Sequence, residues 1–267
     1  QYLALLSDVL ENGTAKETRN GNVVSKFGAQ LQCDLSEGFP LLTTKKMFWR
    51  GVVEELSWFL RGSTNVQELR DKKVHIWDGN SAERGYDAGP VYGFQWRHYG
   101  AKYLDCHVDY TGQGVDQIAD VVELLRHNPH SRRMVLSAWC PTQHGAMCLP
   151  PCHVMYQFYV ESDGRVSCMM TQRSADVFLG LPFNIASTAL LHAARRGGEH
   201  GAGMMRLLVD AGADANKQNK DGWTALMLSA RYGGEHGAGK MRSPAGPVAR
   251  TTASAMTQPS ASLSPLV

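Results

Sequence analysis

The sequence predicts an α+β fold with a mixed sheet, followed by a short segment of helical repeats. Three segments carry apolar residues at helical spacing, and three shorter ones are β-prone runs bounded by turn residues. A third observation is that the last part of the chain repeats itself at a fixed offset. The 267 residues, 43% of them hydrophobic and 19% charged, are enough to build a buried core.

Three helices are predicted from the spacing of apolar residues. The first covers residues 2–10 and ends at Asn12-Gly13, a pair that stops helices. The second covers residues 52–60 and has Glu55 embedded in an otherwise apolar run. The third covers residues 115–125, where isoleucine, valine and leucine recur every three or four positions. Each of these segments is expected to bury one face.

Three strands are predicted after these helices, over residues 134–139, 154–160 and 165–170. The last two are separated by Ser-Asp-Gly at 162–164, a turn sequence that predicts a hairpin. The strands and the helices together indicate an α+β domain.

Composition argues against several classes of partner. A net charge of +2 is too small to indicate nucleic acid or a membrane surface as the main partner. No apolar run approaches the roughly 18 residues needed to span a bilayer, and the first helix lacks the basic start and cleavage site of a signal peptide. We therefore expect a cytoplasmic protein whose six cysteines are thiols.

A candidate nucleophile lies in the sequence Pro150-Pro151-Cys152-His153, which opens the strand predicted at 154–160. Two prolines restrict the backbone, so the thiol is held at a rigid turn. Taken alone, the tetrapeptide favours a buried structural cysteine over a nucleophile, because free cysteines are commonly buried.

Arginines near the predicted strand ends favour a chemical role for this thiol. Arg132 and Arg133 precede one strand, Arg173 follows another, and Arg19 lies in a turn near the N-terminus. Guanidinium groups match phosphate oxygens and also favour the thiolate form of a neighbouring cysteine. Spacing alone does not show that these arginines converge, and each taken singly could be a solvated surface charge.

The order of several motifs identifies a family. They are FPLLTTKK at 39–46, ELSWFLRGSTN at 55–65, IWD at 76–78, GPVYGFQWR at 89–97, SRR at 131–133, LPPCH at 149–153 and QRSADVFLGLPFN at 172–184. Over residues 1–187 the chain resembles thymidylate synthases in order and spacing. The resemblance implies the α+β fold of that family.

The resemblance also implies a reaction. Cys152 would add to carbon 6 of dUMP and generate an enolate at carbon 5. That carbon would attack the methylene group of 5,10-methylenetetrahydrofolate, the co-substrate that acts as carbon donor and reductant, and the product would be dTMP. Glu55 and Tyr92, with ordered water, would handle protons. Glu55 is also hard to explain as a structural residue, because an unpaired buried carboxylate is costly.

Binding residues are implied in the same way. Asn184 would hold the amide edge of the pyrimidine, and Arg132 and Arg133 would reach the phosphate from the partner subunit of a homodimer. The implied substrate-binding set is Arg19, Arg132, Arg133, Gln172, Arg173, Ser174, Asp176 and Asn184. The implied folate-binding set is Trp77, Asp176, Gly180 and Phe183. Trp77 on its own could equally be a core residue.

A metal site is the alternative within this region. Cys140, His144, Cys148 and Cys152 fall every four residues, a spacing that would stack four ligands on one helix. Prolines at 141, 150 and 151 argue against such a helix, and the paired C-x-x-C of common zinc sites is missing. We therefore predict no metal.

The chain from residue 188 onward repeats itself. Residues 188–191 align with 224–227 at an offset of 36, and the heptad GGEHGAG occurs at 197–203 and again at 233–239. Between the copies, AGAD and DGWT resemble ankyrin repeat sequence. We predict one full and one partial ankyrin-like repeat over 188–242, offering a surface for a protein partner, and a disordered tail over 243–267.

The family's pattern stops near residue 187. A thymidylate synthase would continue with a long core helix, a strand whose His and Tyr hold the deoxyribose, and a closing C-terminal segment, none of which is recognisable here. We therefore expect apolar surface to be exposed around Phe178, Leu179, Leu181 and Phe183, and turnover to be poor. Two other interpretations remain: an inactive synthase remnant joined to an interaction module, and a chimeric gene product without function.

Overall fold

The computed structural model describes residues 1–18 and 21–196, with side chains described as far as residue 192. The elements in chain order are α1 (Tyr2–Asn12), β1 (Thr14–Thr18), β2 (Gly21–Ser25), α2 (Trp49–Leu60), α3 (Gln67–Asp71), α4 (Asp78–Ser81), α5 (Tyr92–His98), α6 (Gln117–His127), β3 (Val135–Ser137), β4 (His153–Val160), β5 (Val166–Gln172) and α7 (Leu181–Arg196). Two 3-10 turns lie at Ala82–Arg84 and Pro141–Ala146.

The predicted elements are present with small shifts at their ends. The helices predicted over 2–10, 52–60 and 115–125 are α1, α2 and α6. The three predicted strands are β3, β4 and β5, and β4 and β5 form the expected hairpin. Within its turn, the amide of Gly164 donates to the carbonyl of Glu161 over 2.9 Å.

The sheet is antiparallel, in the order β3-β4-β5. Tyr156 on the central strand lies opposite Leu136 on one side and Met170 on the other, and this face packs into the core. A separate antiparallel hairpin joins β1 to β2. The described strands pair only antiparallel, so the mixed sheet that the sequence suggested is not formed within them.

Helices α2 and α5 pack closely because Gly93 has no side chain. A Cβ atom at Gly93 would lie 2.7 Å from the carbonyl oxygen of Phe59 and 2.9 Å from its Cα. Such distances are shorter than normal van der Waals contact, so only glycine fits there. This close approach brings the first residue of α5, Tyr92, next to the core face of α2.

The long helix that we expected to be missing after residue 184 is present as α7. Ala186, Leu190 and Leu191 on this helix are buried in the main core, and α7 packs against α2 and β5. Leu181 is only 9% exposed, which contradicts the expected exposure at that position. Residues 188–191, which the sequence match assigned to the start of a repeat, therefore lie in α7, where Leu190 and Leu191 are part of the core.

The expectation of exposed apolar surface holds for two of the four named residues. Phe178 and Leu179 are 48% and 41% exposed. Phe183, like Leu181, packs against the core. The turn that carries Phe178 and Leu179 thus projects from the domain, while the helix that follows it is anchored.

Several predictions fall beyond the described residues. The heptads at 197–203 and 233–239, the rest of the ankyrin-like segment and the tail at 243–267 lie outside them, as does Arg19. These remain predictions. All six cysteines lie within the described part and are free thiols. No helix in this part combines the length and the apolar character that crossing a bilayer would require.

Candidate active site

Cys152 lies half-buried at the point where the chain enters β4, and Tyr92 fixes its backbone. The amide of Cys152 donates a hydrogen bond to the hydroxyl oxygen of Tyr92 over 2.7 Å. Burial raises the pKa of Tyr92 well above its usual value, and the nearby charges of Cys152 and Glu55 raise it further. Tyr92 therefore stays protonated, and both the thiol and the carboxyl group of Glu55 lie near it.

Arg173 closes the other side of this turn. Its Nε donates to the carbonyl of Pro151 over 2.9 Å and its Nη2 to the carbonyl of Pro150 over 2.7 Å. Its backbone amide donates to the carbonyl of Cys152 over 3.0 Å. Nη2 also lies 4.0 Å from Cys152 Sγ, at the outer limit of a hydrogen bond to sulfur. The guanidinium thus positions the turn and places a positive charge beside the sulfur.

Glu55 lies on the core face of α2, where Trp77 contacts it. The indole Nε1 of Trp77 donates to Glu55 Oε1 over 2.8 Å. Burial raises the pKa of Glu55 to about 7, although the hydrogen bond from Trp77 acts in the opposite direction. Near neutral pH this carboxyl group can therefore both give and accept a proton. The ring centroid of Trp77 lies 6.0 Å from that of Tyr92.

A polar group on the far side of Cys152 consists of His153, Gln172 and Asn184. Gln172 Nε2 donates to Asn184 Oδ1 over 2.9 Å, and the Asn184 side chain also hydrogen-bonds His153. His153 is 4% exposed, and burial lowers its pKa to about 4. The imidazole is therefore neutral at physiological pH. Because Oδ1 of Asn184 already accepts a hydrogen bond, the orientation of its amide is set.

Asp176 organises the turn between β5 and α7. Its Oδ1 accepts hydrogen bonds from the amides of Phe178 and Leu179 over 2.9 and 2.7 Å. Its carbonyl accepts from the amide of Gly180 over 3.1 Å. Gly180 lies beside Asn184, since a Cβ on it would be 3.8 Å from Asn184 Oδ1. The turn therefore presents an exposed carboxylate next to the amide group of Asn184.

The residues described above all lie within the part of the chain that matches a known family. Residues 1–197 match the sequence model of thymidylate synthase. The chain belongs to the thymidylate synthase family.

Similar proteins carry the same family name. The chain is 56% identical over 203 residues to the bifunctional dihydrofolate reductase-thymidylate synthase of Glycine max, covering 71% of this chain and 38% of that protein. It is 55% identical over 203 residues to the bifunctional dihydrofolate reductase-thymidylate synthase 1 of Arabidopsis thaliana, covering 71% and 39%. For the Paramecium tetraurelia protein the identity is 54% over 203 residues, covering 72% and 44%.

The extent of the match adds two facts. The chain spans about two fifths of the length of these relatives. The thymidylate synthase match ends at residue 197, ten residues beyond the family limit of 187 predicted from motifs. Helix α7, which ends at Arg196, lies wholly inside the match. The family resemblance therefore includes the first residues of the predicted ankyrin-like segment.

The structure brings most of the predicted site residues together around Cys152. Tyr92 and Arg173 contact its turn directly, and Glu55 is buried near Tyr92 with no described hydrogen bond between them. Gln172 and Asn184 form a pair at the end of β5. Phe183 packs against the core from the following helix. Trp77 is 5% exposed and lies in the aromatic core, as its interpretation as a core residue predicts, and its role as a site residue stays a prediction.

Two predicted phosphate ligands have no described contact with this group. Arg132 and Arg133 are exposed in the segment before β3, and no described contact links either side chain to Cys152 or Arg173. Ser174 is exposed directly after Arg173. Arg19 lies outside the described residues. A site that uses Arg132 and Arg133 thus requires a second subunit or a movement of their segment.

Sequence reasoning assigned no role to His153 or Trp139, which shape the site. The Arg173 guanidinium lies 5.7 Å from the ring centroid of Trp139, a distance typical of a cation–π contact. His153 directly follows Cys152 in the motif, and that adjacency was the available signal. Its burial and its pairing with Asn184 depend on the return of the chain through β5 and α7.

The alternative of a metal site is not supported. Pro141–Ala146 forms a short 3-10 turn, which does not place Cys140, His144, Cys148 and Cys152 in one row. Cys140 is buried and its Sγ lies 3.4 Å from Thr142 Oγ1. Across the described ranges, no group of three or more His, Cys, Asp or Glu side chains is placed to hold a metal ion.

Proposed function

We propose that this chain carries out the thymidylate synthase reaction, the reductive methylation of dUMP to dTMP with 5,10-methylenetetrahydrofolate, in the cytoplasm. One observation carries the proposal: Cys152 is held between the Tyr92 hydroxyl and the Arg173 guanidinium at a turn stiffened by two prolines. The arrangement presents a thiol at a fixed position with a positive charge beside it. Both features suit a cysteine that adds to an electron-poor ring carbon.

Arg173 would serve both the thiol and the nucleotide phosphate. Its Nε donates to the carbonyl of Pro151 and its Nη2 to that of Pro150, while no described hydrogen bond uses Nη1. Nη1 and the outer side of Nη2 are therefore available to an anion. A phosphate bound there would be within reach of Ser174, the next residue. The nucleotide would then be anchored at the end of β5 with its base directed toward Asn184.

Asn184 would select the pyrimidine. An amide side chain offers one donor and one acceptor, a pattern complementary to the N3–O4 edge of uracil. The hydrogen bond from Gln172 fixes which end of the amide is the acceptor. Because cytosine presents the reverse pattern at this edge, it would leave an unpaired polar group in a half-buried site. His153, neutral and buried, supports this orientation.

Glu55 and Tyr92 would move protons for the ring. The reaction must remove a proton from carbon 5 and must stabilise negative charge while Cys152 is attached at carbon 6. A carboxyl group with a pKa of about 7 is suited to exchange protons near neutral pH. Tyr92 lies near that carboxyl group, and its hydroxyl accepts a hydrogen bond from the amide of Cys152.

The folate would lie against the turn of Asp176 and the start of α7. Asp176 is exposed and its turn is fixed by four backbone hydrogen bonds. Gly180 leaves space beside Asn184, and Phe183 offers an aromatic edge one turn along α7. Trp77 would contribute only its small exposed edge, since most of its surface is covered by the core.

We also propose a homodimer in which Arg132 and Arg133 complete the partner's phosphate site. The outer face of the sheet supports it, because Tyr159 and Met169 there are 58% and 52% exposed.

Two inactive variants test the idea. Cys152→Ala lacks the nucleophile and Arg133→Ala lacks the donated arginine. Mixed dimers contain one intact site, so mixing refolded variants should restore activity. Activity that stays at the level of the separate variants contradicts a shared site.

The activity itself is tested by trapping. With 5-fluoro-dUMP the group at carbon 5 is not lost as a proton, so the covalent species should persist when methylenetetrahydrofolate is present. Mass spectrometry of the intact protein should show the added mass of both molecules, and peptide mapping should place it on Cys152. Cys152→Ala should show none. An adduct at Cys148 or Cys168 instead would refute the assignment of the nucleophile.

A further inference from the structure

Two segments that lead into the active site pack directly on each other at Gly89. Gly89 precedes Tyr92 by three residues and adopts φ of +76°, and a Cβ on it would lie only 2.0 Å from the carbonyl oxygen of Ala146. Ala146 is on the segment that leads to Cys152. No side chain can occupy that space, so the two backbones touch only because residue 89 is glycine.

Hydrogen bonds hold the two segments in this contact. The amide of Cys148 donates to the carbonyl of Ala88 over 2.9 Å. Arg84 Nη2 donates to the carbonyl of Ala146 over 2.6 Å. Because these two bonds tie the segments together at two separate points, the segments cannot slide past each other without breaking at least one of them.

The segment before Tyr92 is also fixed from its other side. Asp87 Oδ1 accepts hydrogen bonds from the amide of Gly89 over 2.7 Å and from the hydroxyl of Tyr103 over 2.5 Å. The amide of Ala88 donates to the carbonyl of Thr64 over 3.0 Å. These hydrogen bonds hold the segment in place, so a wider contact at Gly89 would displace the segment of Ala146.

We propose that Gly89 is a positioning residue that sets the distance between the Tyr92 hydroxyl and Cys152. From Ala146 the chain runs through Leu149 and two prolines to Cys152, whose amide donates to Tyr92 over 2.7 Å. A widened contact at Gly89 moves the start of this stiff connection, and the Tyr92–Cys152 hydrogen bond is lost. The role of Gly89 in setting this distance does not depend on the protein being an enzyme, whereas its effect on turnover rests on the proposed function.

The test uses two alanine substitutions at left-handed glycines of one loop. Gly85 has φ of +64° and a Cβ on it would meet nothing within 4 Å, whereas a Cβ on Gly89 meets Ala146. Gly89→Ala and Gly85→Ala therefore share backbone strain and differ in the clash. The readout is the rate at which iodoacetamide alkylates Cys152, followed by peptide mass spectrometry, with a thermal melt of each variant.

We expect Gly89→Ala to slow alkylation of Cys152 about threefold to tenfold, the scale of one lost hydrogen bond, because the Tyr92 hydroxyl no longer holds Cys152 in position. Gly85→Ala should leave the rate unchanged. Combined with Tyr92→Phe, which removes the same hydrogen bond, Gly89→Ala should add nothing further. Equal rates for the two glycine variants, or effects that multiply in the double variant, overturn the proposal.

A second route covers failure of Gly89→Ala to fold. If its melt is not cooperative, Arg84→Ala takes its place in the same cycle, since it removes the bond to Ala146 without a clash. An alkylation rate of Arg84→Ala equal to that of Gly85→Ala, or effects of Arg84→Ala and Tyr92→Phe that multiply in the double variant, then overturns the proposal. Failure of the wild-type protein to form the 5-fluoro-dUMP adduct would refute the proposed function alone, because alkylation requires no substrate.

Discussion

The indole Nε1 of Trp77 donates a hydrogen bond to Oε1 of Glu55 over 2.8 Å inside the core. Glu55 is 9% exposed, and Trp77 supplies the one side-chain hydrogen bond that the described residues give it. A single neutral donor does not offset the loss of water around a carboxylate. Burial therefore raises the pKa of Glu55 to about 7, and its charge is coupled to folding.

Glu55→Gln should make the protein more stable than the wild type at alkaline pH. The folded state holds the proton of Glu55 more tightly than the unfolded chain, so wild-type stability is lost as pH rises from about 4.5 to about 7. The shift corresponds to roughly 3 kcal/mol. The stability of the variant relative to the wild type should therefore rise by about that amount across this window, as measured by urea unfolding at a series of pH values.

Glu54→Gln is the control for this prediction. It removes the neighbouring carboxylate, which pairs with Lys72 over 2.6 Å at the edge of the same helix. If loss of any negative charge on α2 were responsible, the two variants would show the same pH dependence. A constant difference between Glu55→Gln and the wild type from pH 4.5 to 7 would contradict the raised pKa.

His153→Gln should show the opposite slope. Burial lowers the pKa of His153 to about 4, so the unfolded chain binds its proton more tightly than the folded state. Wild-type stability is therefore lost as pH falls from about 6.5 to about 4, and the variant escapes this loss of roughly 3 kcal/mol. His127→Gln, at an exposed histidine of α6, is the control and should follow the wild type.

Part of this fold follows from sequence periodicity and part does not. Helices α2 and α6 each bury one face, so their apolar residues recur at helical spacing. Helix α1 has the same spacing but buries only Tyr2, and its Leu3 and Leu10 are 65% and 72% exposed. Helix α5 was not predicted, because its first five residues, Tyr92 to Trp96, are all buried and leave no polar face to give a period. The hairpin of β1 and β2 was missed for the opposite reason, since most of its residues are exposed.

The site shows a similar division. The motif around Cys152 and the arginine after β5 could be recognised from their order in the chain. The contact between Glu55 and Trp77 joins residues 22 positions apart and depends on how α2 packs, which periodicity does not specify. Residues 188–191 were attributed to a repeat because they match residues 224–227, yet they lie in α7. A core helix and a repeat helix share the same period, so periodicity does not separate the two.

Arg173→Ala should weaken the binding of dUMP by about 1.5–3 kcal/mol, the range for hydrogen bonds to charged groups. The loss has two sources, since Arg173 also holds the carbonyls of Pro150 and Pro151. Deoxyuridine, which has no phosphate, separates them. Calorimetry should show a large effect of the substitution on dUMP and a small one on deoxyuridine.

Arg173→Lys provides the matched control for charge. Lysine keeps the positive charge but cannot donate to both proline carbonyls and to an anion at once. We expect its affinity for dUMP to lie between those of the wild type and Arg173→Ala. The difference in affinity between the lysine and alanine variants should be smaller at high salt, because salt screens the charge that lysine keeps. Equal losses for dUMP and deoxyuridine in Arg173→Ala would show that the residue acts on the turn and not on the phosphate.

Gly93→Ala should destabilise the domain and separate Tyr92 from Glu55, the two groups that we propose to move protons. The new methyl group would lie 2.7 Å from the Phe59 carbonyl, so α5 must move away from α2. Overpacking of this kind costs about 1–3 kcal/mol. Tyr92 begins α5 and Glu55 lies on α2, so the same movement should slow adduct formation with 5-fluoro-dUMP. Gly79→Ala, in a helix where nothing lies within 4 Å, should retain or gain stability. If both variants unfold at the same urea concentration, the close packing at Gly93 does not hold the helices together.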